Sequence, residues 1–318
     1  MIEARNLTKQ FGDFTAVAGL DLDVAEGEIL ALLGHNGAGK TTTVRMLCSL
    51  LAPSAGTARI AGYDTVTEAE TVRSLIGLLT ELPGLYNRMR APEYLDFFGA
   101  VQGMAPQVRQ ARADAMLQQF DLGYARDRRL GEYSKGMRQK VALIRTLLHD
   151  PLVVFLDEPT SAMDPQSAKV VRDCIADLRG RRRTVVLCSH NLAEAESLAD
   201  RIAIIKRGRI LARGTAEELK RSLLGPPLYD LCLTGPVAPY LDSLDFGPDA
   251  DFAVVDQGAD WLRYRTATPA AINPVLLARL TGAGAGVLTL AEVPRSLEAV
   301  YLTLMADAEQ EKPGERAG

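Results

Sequence analysis

The segment "GHNGAGKTTT", Gly34 to Thr43, sets three glycines, a lysine and three threonines directly after the apolar run "EILALL". Glycine inside a helix or strand costs about 0.5–1 kcal/mol against alanine, so this composition suits a loop that must wrap an anion. Gly34, Gly39, Lys40 and Thr41 match the pattern GxxxxGK[ST] in the strand–loop–helix context it requires. In such a loop the backbone N–H groups of Asn36, Gly37, Ala38 and Gly39 turn toward phosphates, and the helix N-terminus adds partial positive charge. Lys40 would reach the β- and γ-phosphates, the Thr41 hydroxyl would ligate Mg²⁺, and Thr42 offers the next hydroxyl. A glycine-rich turn with an incidental lysine is the plainer alternative. The spacing favours a nucleotide site.

A second segment, "VVFLDEPTSAMD", narrows the chemistry. Its apolar start delivers Asp157 and Glu158 to the C-terminal edge of a strand, where ligands bind in open α/β sheets. Asp157 is placed for the shell of a metal ion, and Glu158 to polarise an attacking water. Elsewhere two adjacent carboxylates would be a solvated pair.

The elements that must position these groups follow from hydrophobic pattern. "IEARNLTKQF" and "FTAVAGLDLDV" alternate, as antiparallel strands with one wet face do. "EILALLG", "LVVFLD" and "TVVLCS" are continuous apolar strands, "GTARIAG", "RIAIIK" and "RILARG" are further strands, and "KTTTVRMLCSLL" is a helix. Buried strands alternating with helices predict an α/β fold with a mainly parallel sheet covered on both faces. From about residue 90 to 150 the pattern turns helical ("APEYLDFFGAVQGM", "PQVRQARADAMLQQFDL", "KGMRQKVALIRTLL"), which predicts a helical subdomain with Tyr94, Phe97 and Phe98 toward its core, their neighbours being a candidate docking groove. "GPP" at Gly225–Pro227 marks a boundary, so residues 1–222 and 223–308 are read as two domains. In the second, "YDLCLTG", "DFAVVD" and "WLRYRTA" are strands, and "NPVLLARLTG" and "RSLEAVYLTLM" are helices. That is a small α+β appendage, and the tail at 309–318 is expected to be disordered.

Bulk properties exclude several classes. With 47% hydrophobic and 24% charged residues over 318 positions, the chain reads as globular. A net charge of −4 gives no reason to expect nucleic acid as a partner. Cys48, Cys174, Cys188 and Cys232 lie scattered among apolar neighbours, as buried thiols in a reducing compartment do. The N-terminus "MIEARNLTKQ" carries charge where a signal peptide needs apolar residues, and no run approaches the roughly 18–20 a membrane helix needs. Arg179–Arg183, "RGRRR", is read as a solvated loop.

Taken in order, the motifs resemble those of the ATP-binding subunit of an ABC transporter, over about residues 1–222. "YSKGMRQK" is similar to that family's signature, with Ser134 and Gly136 kept. "SAMD" resembles its D-loop, ending at Asp164. "VVLCSHNLAEAESLADRIAIIKRG" resembles the switch strand and helix, placing His190 at the switch, and "KQFGDFTAV" the adenine-stacking region, placing Phe11 against the base. Two departures stand out. Tyr133, Lys135 and Met137 replace the usual Leu, Gly and Gln of the signature. Glu81, in "IGLLTELPGLY", stands where the family has a glutamine that touches Mg²⁺; as a carboxylate it either ligates the metal or faces solvent.

The resemblance implies a P-loop fold of ABC type and ATP-driven, head-to-tail dimerisation, with Ser134 and Gly136 completing the ATP site of a partner and Asp164 relaying between subunits. It implies ATP and Mg²⁺ as ligands, and Glu158 and His190 as the hydrolytic pair. The partners it implies are a second copy or a related ATPase subunit, plus a multi-span permease. The chain would then be cytoplasmic, held at the inner face of the membrane by the permease. The ending "PRSLEAVYLTLM" resembles export-type members. A soluble ABC ATPase acting on ribosomes or DNA is the alternative, and intact Glu158 disfavours a binder that never turns over ATP.

Overall fold

Alternation shapes the first hairpin. β1 (Ile2–Phe11) and β2 (Phe14–Val24) pair antiparallel, with Ile2, Ala4 and Leu7 buried and Glu3 and Arg5 exposed between them. The computed structural model describes residues 1–310 except positions 83, 162, 245, 248 and 249. β3 (Ile29–Leu33) is buried along its whole length and leads through the glycine loop into α1 (Lys40–Leu47). β4 (Ala55–Ile60), β5 (Tyr63–Asp64), α2 (Ala69–Leu75) and β6 (Ile76–Leu79) follow. The helical segment consists of α3 (Ala91–Val101), α4 (Pro106–Gln119) and α5 (Lys135–Leu147). The chain then returns to alternating strands and helices: β7 (Val153–Asp157), α6 (Pro165–Gly180), β8 (Thr184–Ser189), α7 (Leu192–Leu198), β9 (Arg201–Lys206) and β10 (Arg209–Gly214).

Two sheets result. The hairpin joins β4 and β5 in the order β2-β1-β4-β5, and the central sheet runs β10-β9-β3-β8-β7-β6. β9, β3, β8, β7 and β6 are parallel, and β10 closes one edge antiparallel. Continuous apolar strands are what this sheet needs, because both its faces are covered. Val154, Leu156, Val185 and Leu187 pack toward the helical segment, while Val153, Phe155, Val186 and Cys188 pack toward α1 and the first hairpin. Successive residues therefore serve opposite cores.

Two expectations need correction here. Phe97 does not face the core but is 43% exposed, whereas Tyr94 is fully buried. Ala91, Tyr94 and Leu95 form the inward stripe at helical spacing, and Phe97 lies off it, edge-on to Phe98 and Tyr86. Within "RGRRR", Arg179, Gly180, Arg181 and Arg182 are exposed as read, but Arg179 and Gly180 end α6 rather than lie in a loop, and Arg183 is half-buried and paired with Asp150 at 2.6 Å. β6 was not foreseen, being only four residues long.

The chain divides into compact units Met1–Ala216 and Glu217–Gly318, earlier than the boundary read at 222, and α8 (Ala216–Leu224) spans both positions. In the second unit β11 (Leu228–Leu233), β12 (Ala253–Gln257), β13 (Trp261–Arg265), α9 (Pro269–Gly282), β14 (Val287–Glu292) and α10 (Leu297–Gln310) succeed one another. The sheet is antiparallel in the order β12-β13-β11-β14, with Leu231, Leu233, Leu262 and Tyr264 packed on Leu276 and Leu280 of α9. On neighbouring strands the Arg263 guanidinium forks onto the Asp230 carboxylate at 2.7 and 2.8 Å. β14 was not foreseen. Of the tail, 309 and 310 end α10, and 311–318 lie outside the described residues.

Each unit has its own apolar core, the condition for folding alone. A chain ending at Ala216 should stay folded, with an ATP affinity within about threefold of the full chain. Circular dichroism and nucleotide titration check this, and an insoluble product would move the boundary.

Candidate functional site

β3 ends at Leu33 and the loop Gly34–Gly39 begins at the sheet edge. The loop is wedged between strands. A side chain at Gly34 would collide with the Ile205 carbonyl at the end of β9, and a Cβ at Gly39 would lie 2.7 Å from the Ala16 carbonyl on β2. Gly39 also holds φ +111°, a conformation only glycine adopts freely. Gly208 N donates to Ala38 O at 2.8 Å, pinning the loop from the β9–β10 turn. No side chain caps α1, so the amides at its start remain available to an anion. Lys40 is 6% exposed and folds back over the loop, where Nζ donates to the carbonyls of Gly34 and His35.

β7 and β8 bring the carboxylates to the same edge. Asp157 and Glu158 are both buried, and the Thr41 hydroxyl donates to Asp157 Oδ2 at 3.2 Å. Burial pushes the Asp157 carboxyl above its usual value of 3.8, with the negative charges of Glu158 and Glu81 adding to the effect and Thr41 and Lys40 opposing it. Glu158 has φ +50°, and its amide donates to Cys188 O at 2.9 Å. Its Oε1 accepts from the His190 amide at 2.9 Å and lies 2.7 Å from His190 Nδ1. An ionised Glu158 has no proton to give, so Nδ1 is the donor of that pair.

These groups surround one cavity of about 430 Å³. Asn36, Gly37, Gly39, Lys40, Thr41 and Thr42 line one side, Glu81, Asp157 and Glu158 another, and Phe14 and Ala16 a third. Phe11, expected against the base, is not among the residues that line this cavity. It sits across the turn from Phe14, its partner in the hairpin register, with Lys9 Nζ 5.3 Å from its ring centre. Phe14, 64% exposed, is the aromatic in the cavity wall. The turn "FGDF" displays two aromatics at adjacent cross-strand positions, and that was the signal for the second.

Other expected residues lie outside the cavity. Ser134 caps α5 and accepts from Met137 N at 3.2 Å. Asp164 caps α6 and accepts from Ser167 N at 2.9 Å, a bond that holds its carboxyl below the usual range. Gly136 does not hold a positive φ, and among the described residues a Cβ there would meet only Met163 Cγ at 3.9 Å. Gln139, which the sequence reading passed over, links the signature helix to the catalytic edge by a bond from Nε2 to Glu158 O at 3.4 Å.

Among the described residues no three His, Cys, Asp or Glu side chains form a metal cluster. The Thr41 hydroxyl and the Asp157 and Glu81 carboxylates make an all-oxygen set, which suits a hard divalent ion arriving with phosphate oxygens.

An edge that combines inward amides, a buried lysine and strand-end carboxylates belongs to a P-loop ATPase domain. The family model described as "ABC transporter" matches residues 17–161. The daunorubicin resistance ATP-binding protein DrrA3 of Streptomyces coeruleorubidus is 43% identical over 67% of this chain and 67% of its own length. Nod factor export ATP-binding protein I of Burkholderia lata is 38% identical over 72% and 76%. A solved dimeric bacterial ABC transporter cassette superposes with a TM-score of 0.63 at 25% identity, over 68% of this chain and 98% of that one. The chain belongs to the ABC transporter family, as an ATP-binding, ATP-hydrolysing subunit.

The raised Asp157 carboxyl has a consequence for stability. The native state holds that proton more tightly than the unfolded chain, so ionised Asp157 works against folding above its raised native pKa and has no such effect below 3.8. Asp157→Asn should therefore raise the thermal midpoint of the nucleotide-free chain at pH 8 by about a few degrees, a gain that shrinks as the pH falls through the raised native pKa toward 3.8. Thermal unfolding across pH checks the sign.

Proposed function

We propose that this chain supplies the energy of a membrane exporter, binding ATP between two head-to-tail subunits and hydrolysing it to drive a separate permease. The observation that carries the hydrolytic part is the Glu158–His190 pair at 2.7 Å beside the phosphate loop. Glu158 takes the proton of a water that attacks the γ-phosphorus, the bond to the bridging oxygen breaks, and ADP leaves with that electron pair. Lys40 exchanges its loop carbonyls for phosphate oxygens, and the amides of residues 36–42 hold the rest. His190, with Nδ1 turned to Glu158, keeps the base aimed and presents its other edge to the γ-phosphate. Thr41, Asp157 and Glu81 would hold Mg²⁺, which neutralises phosphate charge when bound. Phe14, with Phe11 beside it across the hairpin, offers the base a stacking face worth about 1–3 kcal/mol.

Gly136 supports the composite site. Among the described residues nothing forbids a Cβ there, which favours a reason for the glycine outside the subunit. Ser134 and the first amides of α5, solvent-facing at a helix start, suit the γ-phosphate of a partner's ATP. Asp164, exposed at the start of α6, suits contact across the same interface. The dimeric cassette among the solved structures supports this arrangement.

Drug resistance and Nod factor export in the relatives' names favour outward transport. Among the described residues no helix is long and apolar enough to cross a membrane. The proposal assigns the path for cargo to a separate permease, with this subunit at its cytoplasmic face. The alternative of an ATPase acting on ribosomes or DNA draws no support from those relatives.

Glu158→Gln removes the base while keeping shape, so hydrolysis should fall by about a hundredfold or more. ATP binding should persist, and gel filtration with ATP should show an accumulated dimer. Activity near wild type would remove Glu158 from the chemistry. Gly136→Ala should leave the monomer as stable, or firmer by about 0.5–1 kcal/mol. It should still weaken the ATP-dependent dimer, as sedimentation would report.

A further inference from the structure

One buried carboxylate near the site has no part in the scheme above. Glu194, on the first turn of α7, is 4% exposed, and both its oxygens are occupied. Oε1 accepts from the Thr160 hydroxyl at 2.6 Å, and Oε2 from the Ser189 hydroxyl at 3.4 Å. Thr160 stands two residues after Glu158, and Ser189 immediately before His190. Since His190 bonds Glu158 through its amide and Nδ1, the contacts close a ring: Glu158, Thr160, Glu194, Ser189, His190 and back to Glu158. The segment is stitched a second time, because Asn191 N donates to Ser189 Oγ at 3.0 Å and Glu194 N to Asn191 Oδ1 at 3.1 Å.

We propose that Glu194 is a positioning residue that holds the switch segment, and with it His190, against Glu158. A carboxylate here is costly. Burial raises its pKa, which the Thr160 hydroxyl, Arg172 and the Ser189 hydroxyl oppose and the charge of Glu158 reinforces. A helix fastened only for stability would be served as well by an apolar contact. A two-sided acceptor does something an apolar group cannot: it fixes the turn after β7 and the end of β8 to one point, so that His190 and Glu158 keep their separation when ATP draws on either. His190, with its side chain 69% exposed, has little packing of its own to hold it.

The inference rests on the roles proposed for Glu158 and His190. In steady-state ATPase assays of the full chain, Glu194→Gln replaces one acceptor with a donor, and kcat should fall about tenfold or more while KM for ATP stays within about twofold. Thr160→Val removes the same bond from the other side and should reproduce the loss, whereas Thr160→Ser should restore it. In a His190→Ala background, Glu194→Gln should cost less than about twofold further, since the residue it positions is gone. Wild-type kcat in Glu194→Gln overturns the proposal, as does an equal loss in both backgrounds. Should Glu194→Gln fail to fold, wild-type kcat in Thr160→Val overturns it equally. If His190→Ala alone hydrolyses ATP normally, the reading of His190 fails and takes this inference with it. If His190→Ala is impaired and Glu194→Gln is not, only this inference fails.

Discussion

The register of four parallel strands sets everything at the nucleotide edge. Leu33 of β3 pairs with Ser189 of β8, Cys188 of β8 with Asp157 of β7, and Leu156 of β7 with Leu79 of β6. The residues just beyond those ends are Gly34, His190, Glu158 and, two positions on from β6, Glu81. Because side chains alternate along a strand, sliding β7 by one residue would exchange its two buried faces and carry Asp157 away from Thr41. The same apolar packing that makes β3, β7 and β8 buried strands therefore fixes the distances on which the chemistry depends.

The buried charged groups at that edge are already partnered. Lys40 rests on its loop carbonyls, Asp157 takes the Thr41 hydroxyl, and Glu158 takes the His190 amide and ring. Buried charge is tolerable only when paired or hydrogen-bonded, and these contacts hold the site in shape without ligand. In the proposed mechanism, ATP binding is an exchange of these internal bonds for phosphate bonds. Preorganisation of this kind lowers the reorganisation that catalysis would otherwise require.

The second unit follows a different physical plan. Its central strands β11 and β13 alternate, as in "LYDLCL", because helix α9 covers one face of an antiparallel sheet and the other carries polar pairs such as Asp230–Arg263.

Local signals were enough for much of this. The glycine loop, Lys40, Thr41, Asp157 and Glu158 could be read from residue type and spacing, since a phosphate loop and a strand-end carboxylate pair are short-range devices. The buried strands and the helical segment were legible from hydrophobic pattern, except for short or weakly patterned β6 and β14. Tertiary packing decided the remainder. Which aromatic of "FGDF" reaches the cavity depends on the turn of a hairpin against a loop more than twenty residues on. Whether Phe97 is buried depends on which stripe of α3 meets its neighbours. The ring through Thr160, Glu194 and Ser189 joins groups on a turn, a strand and a helix, each an ordinary polar residue in its own neighbourhood. Only the parallel register brings their hydroxyls and carboxylate to one point, because a hydrogen bond depends on distance and the sequence records only order.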